Sequence, residues 1–306
     1  GHRGTLGLAP EDARAGFACA GAIGIDGIDL DILISADERV AIHHDPCLAT
    51  ELCRDSSGKW LEGATPLVRE LTAGQLKTYD VGMIRPGSSQ ASRFPLQQSA
   101  AGEAIPMLSD LVLWWRHLAP YRPTLNIELK SDPRHPDQSP DPADYARIVV
   151  GELEKWDLLD EVWLQAFDWR VLQEIQRLAP NVCTGYLTSE REDDATVSDE
   201  GESPWLAGFD PCRFESSLPE AIKAAGGSFW GPAFADTSKE RVLEAQTLGL
   251  FVHTWTLNED EEFGEALNLG VNGVTSDYPD RARAAFLSAG LPVALPCHPD
   301  GQAVGA

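Results

Sequence analysis

Basic side chains are scarce in this chain: 24 Lys and Arg stand against 48 Asp and Glu over 306 residues, a formal charge of -24. Binding to a nucleic-acid backbone draws its affinity from Lys and Arg that displace counterions, so the deficit argues against DNA or RNA as a partner. Long apolar runs are missing as well. No stretch approaches the roughly 20 residues that span a bilayer, and stable membrane insertion is not expected. Cysteine is sparse, and Cys19, Cys47, Cys53, Cys183, Cys212 and Cys297 have no spacing relative to the histidines that would build a structural zinc site. Cys47 and Cys53 are close enough in sequence to pair in an oxidising compartment, while free thiols fit equally well. No Met opens the chain, so the sequence reads as trimmed or processed, with any targeting peptide outside it.

What is present begins with a hydrophobic content of 43%, enough for a sizeable core. The length suits one (β/α)8 barrel with an enlarged loop. In Ile25 to Ile34 the pattern alternates, so Ile28, Leu30, Ile32 and Ile34 share one face and Asp29 and Asp31 the other. Leu125, Ile127 and Leu129 alternate in the same way with Asn126, Glu128 and Lys130. A single half-buried strand turns its polar face to solvent without further meaning, but two such strands suggest one polar centre. His2 and His44 flank the first. Two imidazoles and three carboxylates can hold a divalent metal and move two protons, which is what cleaving a phosphodiester requires.

Helix and strand patterns alternate along most of the chain, which predicts a closed or doubly wound parallel sheet. Pro10-Glu11-Asp12 is expected to open a helix that Gly24 ends. Helices are then expected over 142–158, 171–178, 239–248 and 260–269, with strands over 162–167, 182–187, 250–256 and 271–276. From Cys47 to Glu103 the alternation stops and Ser, Gly and Pro rise. The expected organisation is a catalytic barrel over 1–46 and 104–286, an insertion over 47–103 placed as a cap, and a C-terminal tail over 287–306. The acidic run from Ser189 to Asp194, with Asp199 to Glu202, follows a strand and reads as a solvated loop on the face of the site, with a gating role as the alternative.

Several blocks occur in one order: Gly1-His2-Arg3-Gly4, Pro10-Glu11-Asp12, the strand with Asp29 and Asp31, His43-His44-Asp45, and Asn126 to Lys130. Gln165 to Asp168, Trp255 to Asn258 and Gly273 to Pro279 follow. Together they resemble the glycerophosphodiester phosphodiesterase family over nearly the whole chain. The resemblance implies an α/β fold, a (β/α)8 TIM barrel of the phospholipase C-like phosphodiesterase type with an inserted cap. A short apolar strand leads into His-Arg-Gly in that family, so the first strand reads as missing from the chain as given. The implied activity is hydrolysis of a small-molecule glycerophosphodiester to sn-glycerol 3-phosphate and an alcohol.

The resemblance also implies His2 and His44 as the catalytic pair, with His2 assigned as base and His44 as acid. It implies Asp29, Asp31 and Glu128 as ligands of Mg²⁺ or Ca²⁺. The family has Glu where Asp29 stands, and the shorter side chain implies altered or water-mediated coordination. Arg3 and Lys130 match phosphate-contacting positions; pairing with the site's acids is the compatible alternative. Trp255 and Phe167 either wall the glycerol or head-group pocket or pack the barrel core. Glu11 matches a family Glu, with Asp12 and Ala13 in place of an Asn and a Thr. His43 is expected to face away, and Asp45 either orients His44 or serves the turn before Pro46. Two rival readings are a related barrel enzyme acting on lysophospholipids and a catalytically silent phosphoester-binding relative. The expected compartment is periplasmic or extracellular rather than cytoplasmic.

Overall fold

The computed structural model describes residues 1–191, 195–198 and 201–298. Glu192, Asp193, Asp194, Asp199 and Glu200 of the acidic run, and the tail from 299 to 306, lie outside the described residues. In chain order the elements are α1 (Arg14–Ile23), β1 (Gly27–Ile34), β2 (Val40–Ile42), α2 (Ala73–Leu76), α3 (Ser89–Arg93), α4 (Leu108–Trp115), β3 (Thr124–Leu129), α5 (Pro142–Lys155), β4 (Val162–Ala166), α6 (Trp169–Leu178), β5 (Cys183–Thr188), α7 (Leu218–Ala224), β6 (Phe229–Pro232), α8 (Lys239–Thr247), β7 (Phe251–Thr254), α9 (Asp260–Leu269), β8 (Gly273–Val274) and α10 (Pro279–Ser288). The strands form one sheet in the order β2-β1-β3-β4-β5-β6-β7-β8. Sequential strands separated by helices are the topology of the α/β, (β/α)8 class. The chain divides into two compact units, one of residues 1–125 with the chain from Asp277 onward, the other Asn126–Ser276.

In the second unit, neighbouring strands from β4 to β8 pair in parallel. The strands are mostly buried, as expected where helices cover a parallel sheet. Helix α5 starts where Asp141 accepts hydrogen bonds from the Ala143 and Asp144 backbone N–H groups, each at 3.0 Å, with Pro142 in its first turn. Its buried face carries Tyr145, Ala146, Val149, Val150 and Leu153. Polar atoms of the aromatic core are satisfied: Tyr186 donates to the Ala225 carbonyl at 2.8 Å and Trp230 to the Thr188 hydroxyl at 2.9 Å.

The first unit differs from the expectation at two places. Strand β2 is antiparallel to β1, with Ile32 opposite Ile42 and Ile34 opposite Val40, so the sheet is not wholly parallel. The short Ser35 to Arg39 connection dictates this, because a parallel return needs a much longer crossover. Helix α1 begins at Arg14 rather than at Pro10, and Ala13 precedes it with no side chain to cap the first turn. Glu11 and Asp12 form a turn instead, and Asp12 takes a left-handed backbone at φ 49°. Beside β1 run residues 1–4, bonded through Asp29 N–H to the Gly1 carbonyl at 2.9 Å and Gly4 N–H to the Asp29 carbonyl at 3.1 Å.

Residues of the 47–103 segment share a core with that hairpin and helix: Leu48, Cys53, Val68, Leu76 and Val81 pack with Ala13, Leu33, Ala41, Ile105 and Met107. Helix α2 opens on reciprocal hydrogen bonds between Thr72 and Gln75, so the amphipathic stretch expected over Thr72 to Thr78 is a single capped turn and its flanks. Cys47 and Cys53 are free thiols, and burial pushes the Cys53 thiol up to about 12. Among the described residues no helix is long and apolar enough to cross a membrane.

Candidate active site

The first unit gathers His2, Arg3, Asp29, Asp31, His44 and Asp45. Gly4, the glycine after Arg3, has φ 83°, and a Cβ there would stand 2.8 Å from the Gly16 carbonyl carbon. Only glycine combines that conformation with that approach to α1, so the segment bearing His2 and Arg3 lies close against the helix. Its other anchor is Gly7 N–H, which donates to the Asp277 carbonyl at 2.9 Å.

Each histidine has its Nδ1 on a carboxylate. His2 Nδ1 lies 2.5 Å from Asp277 Oδ1, and the Asp277 side chain is fully buried. His44 Nδ1 lies 2.7 Å from Asp45 Oδ1. A neutral imidazole that donates through Nδ1 carries its lone pair on Nε2, the arrangement a proton acceptor requires; when protonated, the same Nε2 can give the proton back. Asp45 therefore orients His44, one of its two expected roles. Burial works against the Asp45 charge, but the His44 hydrogen bond and charge outweigh it and hold the carboxyl at about 2. His43 does not share this arrangement. It is buried, and burial pushes its ring below the ordinary imidazole range despite the charges of Asp45 and Glu11.

Asp29 and Asp31 are both buried, at 9% and 3% exposure, so the polar face of β1 is enclosed rather than solvated. Burial, then the Asp31 charge, raises Asp29 to about 6 against the opposing pull of His2 and Arg3. Arg3 Nε lies 3.2 Å from Asp31 Oδ2, and Arg3 Nη1 donates to Glu11 Oε1 at 2.8 Å. Burial opposes the Arg3 charge as well, yet Glu11, Asp31 and Asp12 together hold the guanidinium protonated beyond its ordinary value. Asp12 accepts the Asp31 N–H at 3.3 Å, and burial with the Asp31 charge pushes its carboxyl well above the usual range.

The second unit holds the remaining expected residues. Lys130 Nζ lies 2.6 Å from Glu128 Oε1, both side chains mostly buried at the end of β3. Of the two roles expected for Arg3 and Lys130, pairing with acids is the one visible in the geometry. Phe167 and Trp255 follow the last residues of β4 and β7, at the carboxyl ends of strands where barrel sites form. Their rings meet edge to face at 5.4 Å, and Phe167 also meets Trp205 at 6.5 Å. Arg134 lies over the far ring, 4.9 Å from the Trp205 centroid.

Two members escape a reading of local pattern. Trp205 follows the acidic run and has no periodic signal. Asp277 pairs with a histidine 275 positions away, and its signal was its membership of the Gly273 to Pro279 block.

The sequence profile of the glycerophosphoryl diester phosphodiesterase family matches residues 2–281. The chain belongs to that family, whose class is hydrolysis of glycerophosphodiesters. A crystal structure described as that of a glycerophosphoryl diester phosphodiesterase from Silicibacter pomeroyi is 33% identical, with a TM-score of 0.83 over 95% of this chain and 92% of that one. A glycerophosphodiester phosphodiesterase of Bacillus subtilis is 25% identical over 286 residues, 91% of this chain and 83% of that protein. The structure of an Oleispira antarctica phosphodiesterase in complex with the product sn-glycerol-3-phosphate shares the fold, with 21% identity and a TM-score of 0.64 over 93% of this chain and 94% of that one.

Among the described residues, no group of three or more His, Cys, Asp and Glu stands close enough to define a metal site by itself. The donor chemistry nevertheless fits a hard cation. Asp29 and Asp31 present buried carboxylates whose charges raise each other's energy, a condition a divalent ion relieves, and oxygen donors suit Mg²⁺ or Ca²⁺.

Proposed function

We propose that this enzyme hydrolyses glycerophosphodiesters to sn-glycerol 3-phosphate and an alcohol with the help of a divalent cation, with His2 and His44 moving the protons. The observation that carries the reading is the pair of carboxylate-bound imidazoles, His2 on Asp277 and His44 on Asp45. A phosphodiester anion repels its nucleophile and parts reluctantly from an alkoxide, so one group must remove a proton from the nucleophile and another must protonate the departing oxygen. His2 Nε2 is assigned the first task and His44 Nε2 the second. Arg3, held charged between Glu11 and Asp31, suits a phosphate oxygen.

Asp29 and Asp31 would hold the cation, and Glu128 is the third carboxylate that the family resemblance adds. When bound, Mg²⁺ or Ca²⁺ would polarise the phosphoryl oxygens. Phe167 and Trp255 would wall the organic part of the substrate, with Lys130 as a second cationic contact to phosphate.

The test is hydrolysis of a glycerophosphodiester followed by phosphorus NMR. Activity should vanish once tightly bound metal has been stripped with EDTA and should return with Mg²⁺ or Ca²⁺. His2→Ala and His44→Ala should each lower kcat by about 10²- to 10⁴-fold. Full turnover by stripped protein in excess chelator would remove the cation from the reading, and near-parental turnover by either mutant would make that histidine structural.

A further inference from the structure

The two carboxylate oxygens of Glu11 are divided between two partners. Oε1 accepts from Arg3 Nη1 at 2.8 Å, and Oε2 accepts from Gln90 Nε2 at 3.3 Å. Gln90 belongs to α3, 79 positions along the chain and inside the 47–103 segment. Helix α3 is itself anchored. Ser88 caps it through the Ala91 N–H at 3.1 Å, and Glu51 accepts from the Ser89 hydroxyl at 3.1 Å and the Gln90 N–H at 3.3 Å.

Further along, Phe94 packs against Leu6 and Tyr278, neighbours of the His2 segment and of Asp277. Gln97 donates to the Leu6 carbonyl at 2.7 Å and Gln98 N–H to the Leu8 carbonyl at 2.8 Å. The insertion thus grips the loop that follows Arg3, and Gln90 is the side chain through which it reaches the partner of the guanidinium.

A glutamate held by one oxygen alone turns about its last torsion and swings its cationic partner with it, because that torsion is broad rather than three-fold. With the second oxygen anchored, the carboxylate plane is fixed and Arg3 is directed by a stationary acceptor. We propose that Gln90 is a positioning residue: by pinning Glu11 it fixes the Arg3 guanidinium for the substrate phosphate, so that the 47–103 segment sets phosphate affinity. This rests on Arg3 as a phosphate contact. It concerns binding more than the proton transfers, since Gln90 acts on Glu11, the partner of Arg3.

The experiment measures the Kd of sn-glycerol 3-phosphate by calorimetry, with KM, kcat and thermal unfolding, for the full chain carrying Gln90→Met, Gln90→Glu, Glu11→Ala, Arg3→Ala and the pair Glu11→Ala with Gln90→Met. Methionine keeps the length and removes the donor. Gln90→Met should raise Kd and KM by about 3- to 10-fold, the scale of one ordinary net hydrogen bond, because Arg3 keeps its own pairing with Glu11. kcat should stay within about twofold, because binding is what is lost. Gln90→Glu, which sets a second carboxylate against Glu11, should raise both further, and Gln90→Met should add nothing once Glu11 is Ala. An unchanged Kd in folded Gln90→Met, or an equal rise in the Glu11→Ala background, overturns the proposal. If Arg3→Ala weakens product binding while Gln90→Met does not, only the role of Gln90 fails. Unchanged binding in Arg3→Ala removes the phosphate-contact reading and this inference with it.

Discussion

His2 and His44 have the same hydrogen-bond pattern in different surroundings. Asp277 is fully buried, whereas the Asp45 side chain is 42% exposed. An asparagine at 277 can offer an N–H to Nδ1 and so hold His2 in the wrong tautomer, with no water to take over. Asp277→Asn is expected to lower kcat by up to about 10⁴-fold, the scale of the same change at the buried acid of hydrolase triads. Asp45→Asn should cost less, because water can reach the partly exposed side of that carboxylate. Steady-state rates for the two variants decide this, and a larger loss at Asp45 would contradict the argument from burial.

Asp29 supplies a pH dependence at the same scale. Its carboxyl is raised from 3.8 to about 6 by burial and Asp31, so it takes up a proton as the pH falls through about 6. Cation binding needs the carboxylate and should weaken over that range, which calorimetry of Mg²⁺ or Ca²⁺ at pH 5 and pH 7 can follow. Without the cation, the stability sign is opposite. The contribution of protonated Asp29 is fully present below about 3.8 and is lost as the pH rises through about 6. Asp29→Asn should flatten both trends, and metal binding that keeps its pH dependence in that variant would assign the titration to another group.

At the scale of elements, the Gly4 turn couples the His2 segment to α1. Gly4→Ala forces a side chain into φ 83° with its Cβ 2.8 Å from the Gly16 carbonyl carbon. Thermal unfolding should show a loss of about 1–3 kcal/mol, and the activity of the folded fraction should fall as well because His2 and Arg3 shift. Unchanged stability would mean that the turn relaxes freely.

Elements set by period and local caps are legible in the sequence. The stretch Asp260 to Leu269 is helical as its pattern dictates, and Ile28 to Ile34 alternate on β1. The three residues Val40 to Ile42 look the same in either direction, and only the shortness of the connection to β1 marks the antiparallel return. Helix α1 starts later than its pattern indicates because Pro10 and the acids after it carry a helix-start signature that Arg3 and Asp31 draw into a turn: the Arg3 carbonyl accepts the Asp12 N–H at 3.0 Å and Asp12 accepts that of Asp31. In the site, residue types were readable from ordered blocks, but the partners were not. The Glu11 to Gln90 and His2 to Asp277 pairs span 79 and 275 positions, and no local periodicity encodes such separations.

For the whole molecule, the formal charge of -24 acts against the anionic part of any phosphodiester. A field of that sign lowers substrate concentration near the surface, and its reach shrinks from roughly 30 Å at 0.01 M salt to about 8 Å at 0.15 M. Arg3, and a cation where one is bound, would reverse the potential only over short distances, where salt screens less. The expected outcome is therefore the inverse of electrostatic steering: kcat/KM should rise as inert salt is added from about 0.01 to 0.15 M, with metal held saturating. The rise should be larger for a glycerophosphodiester with a neutral alcohol, which carries a net negative charge, than for one whose alcohol bears a quaternary ammonium and leaves the substrate neutral overall. Initial rates at subsaturating substrate across a salt series provide the measurement. A fall in kcat/KM for the anionic substrate would show that the cationic groups of the site govern approach from a distance despite the acidic surface.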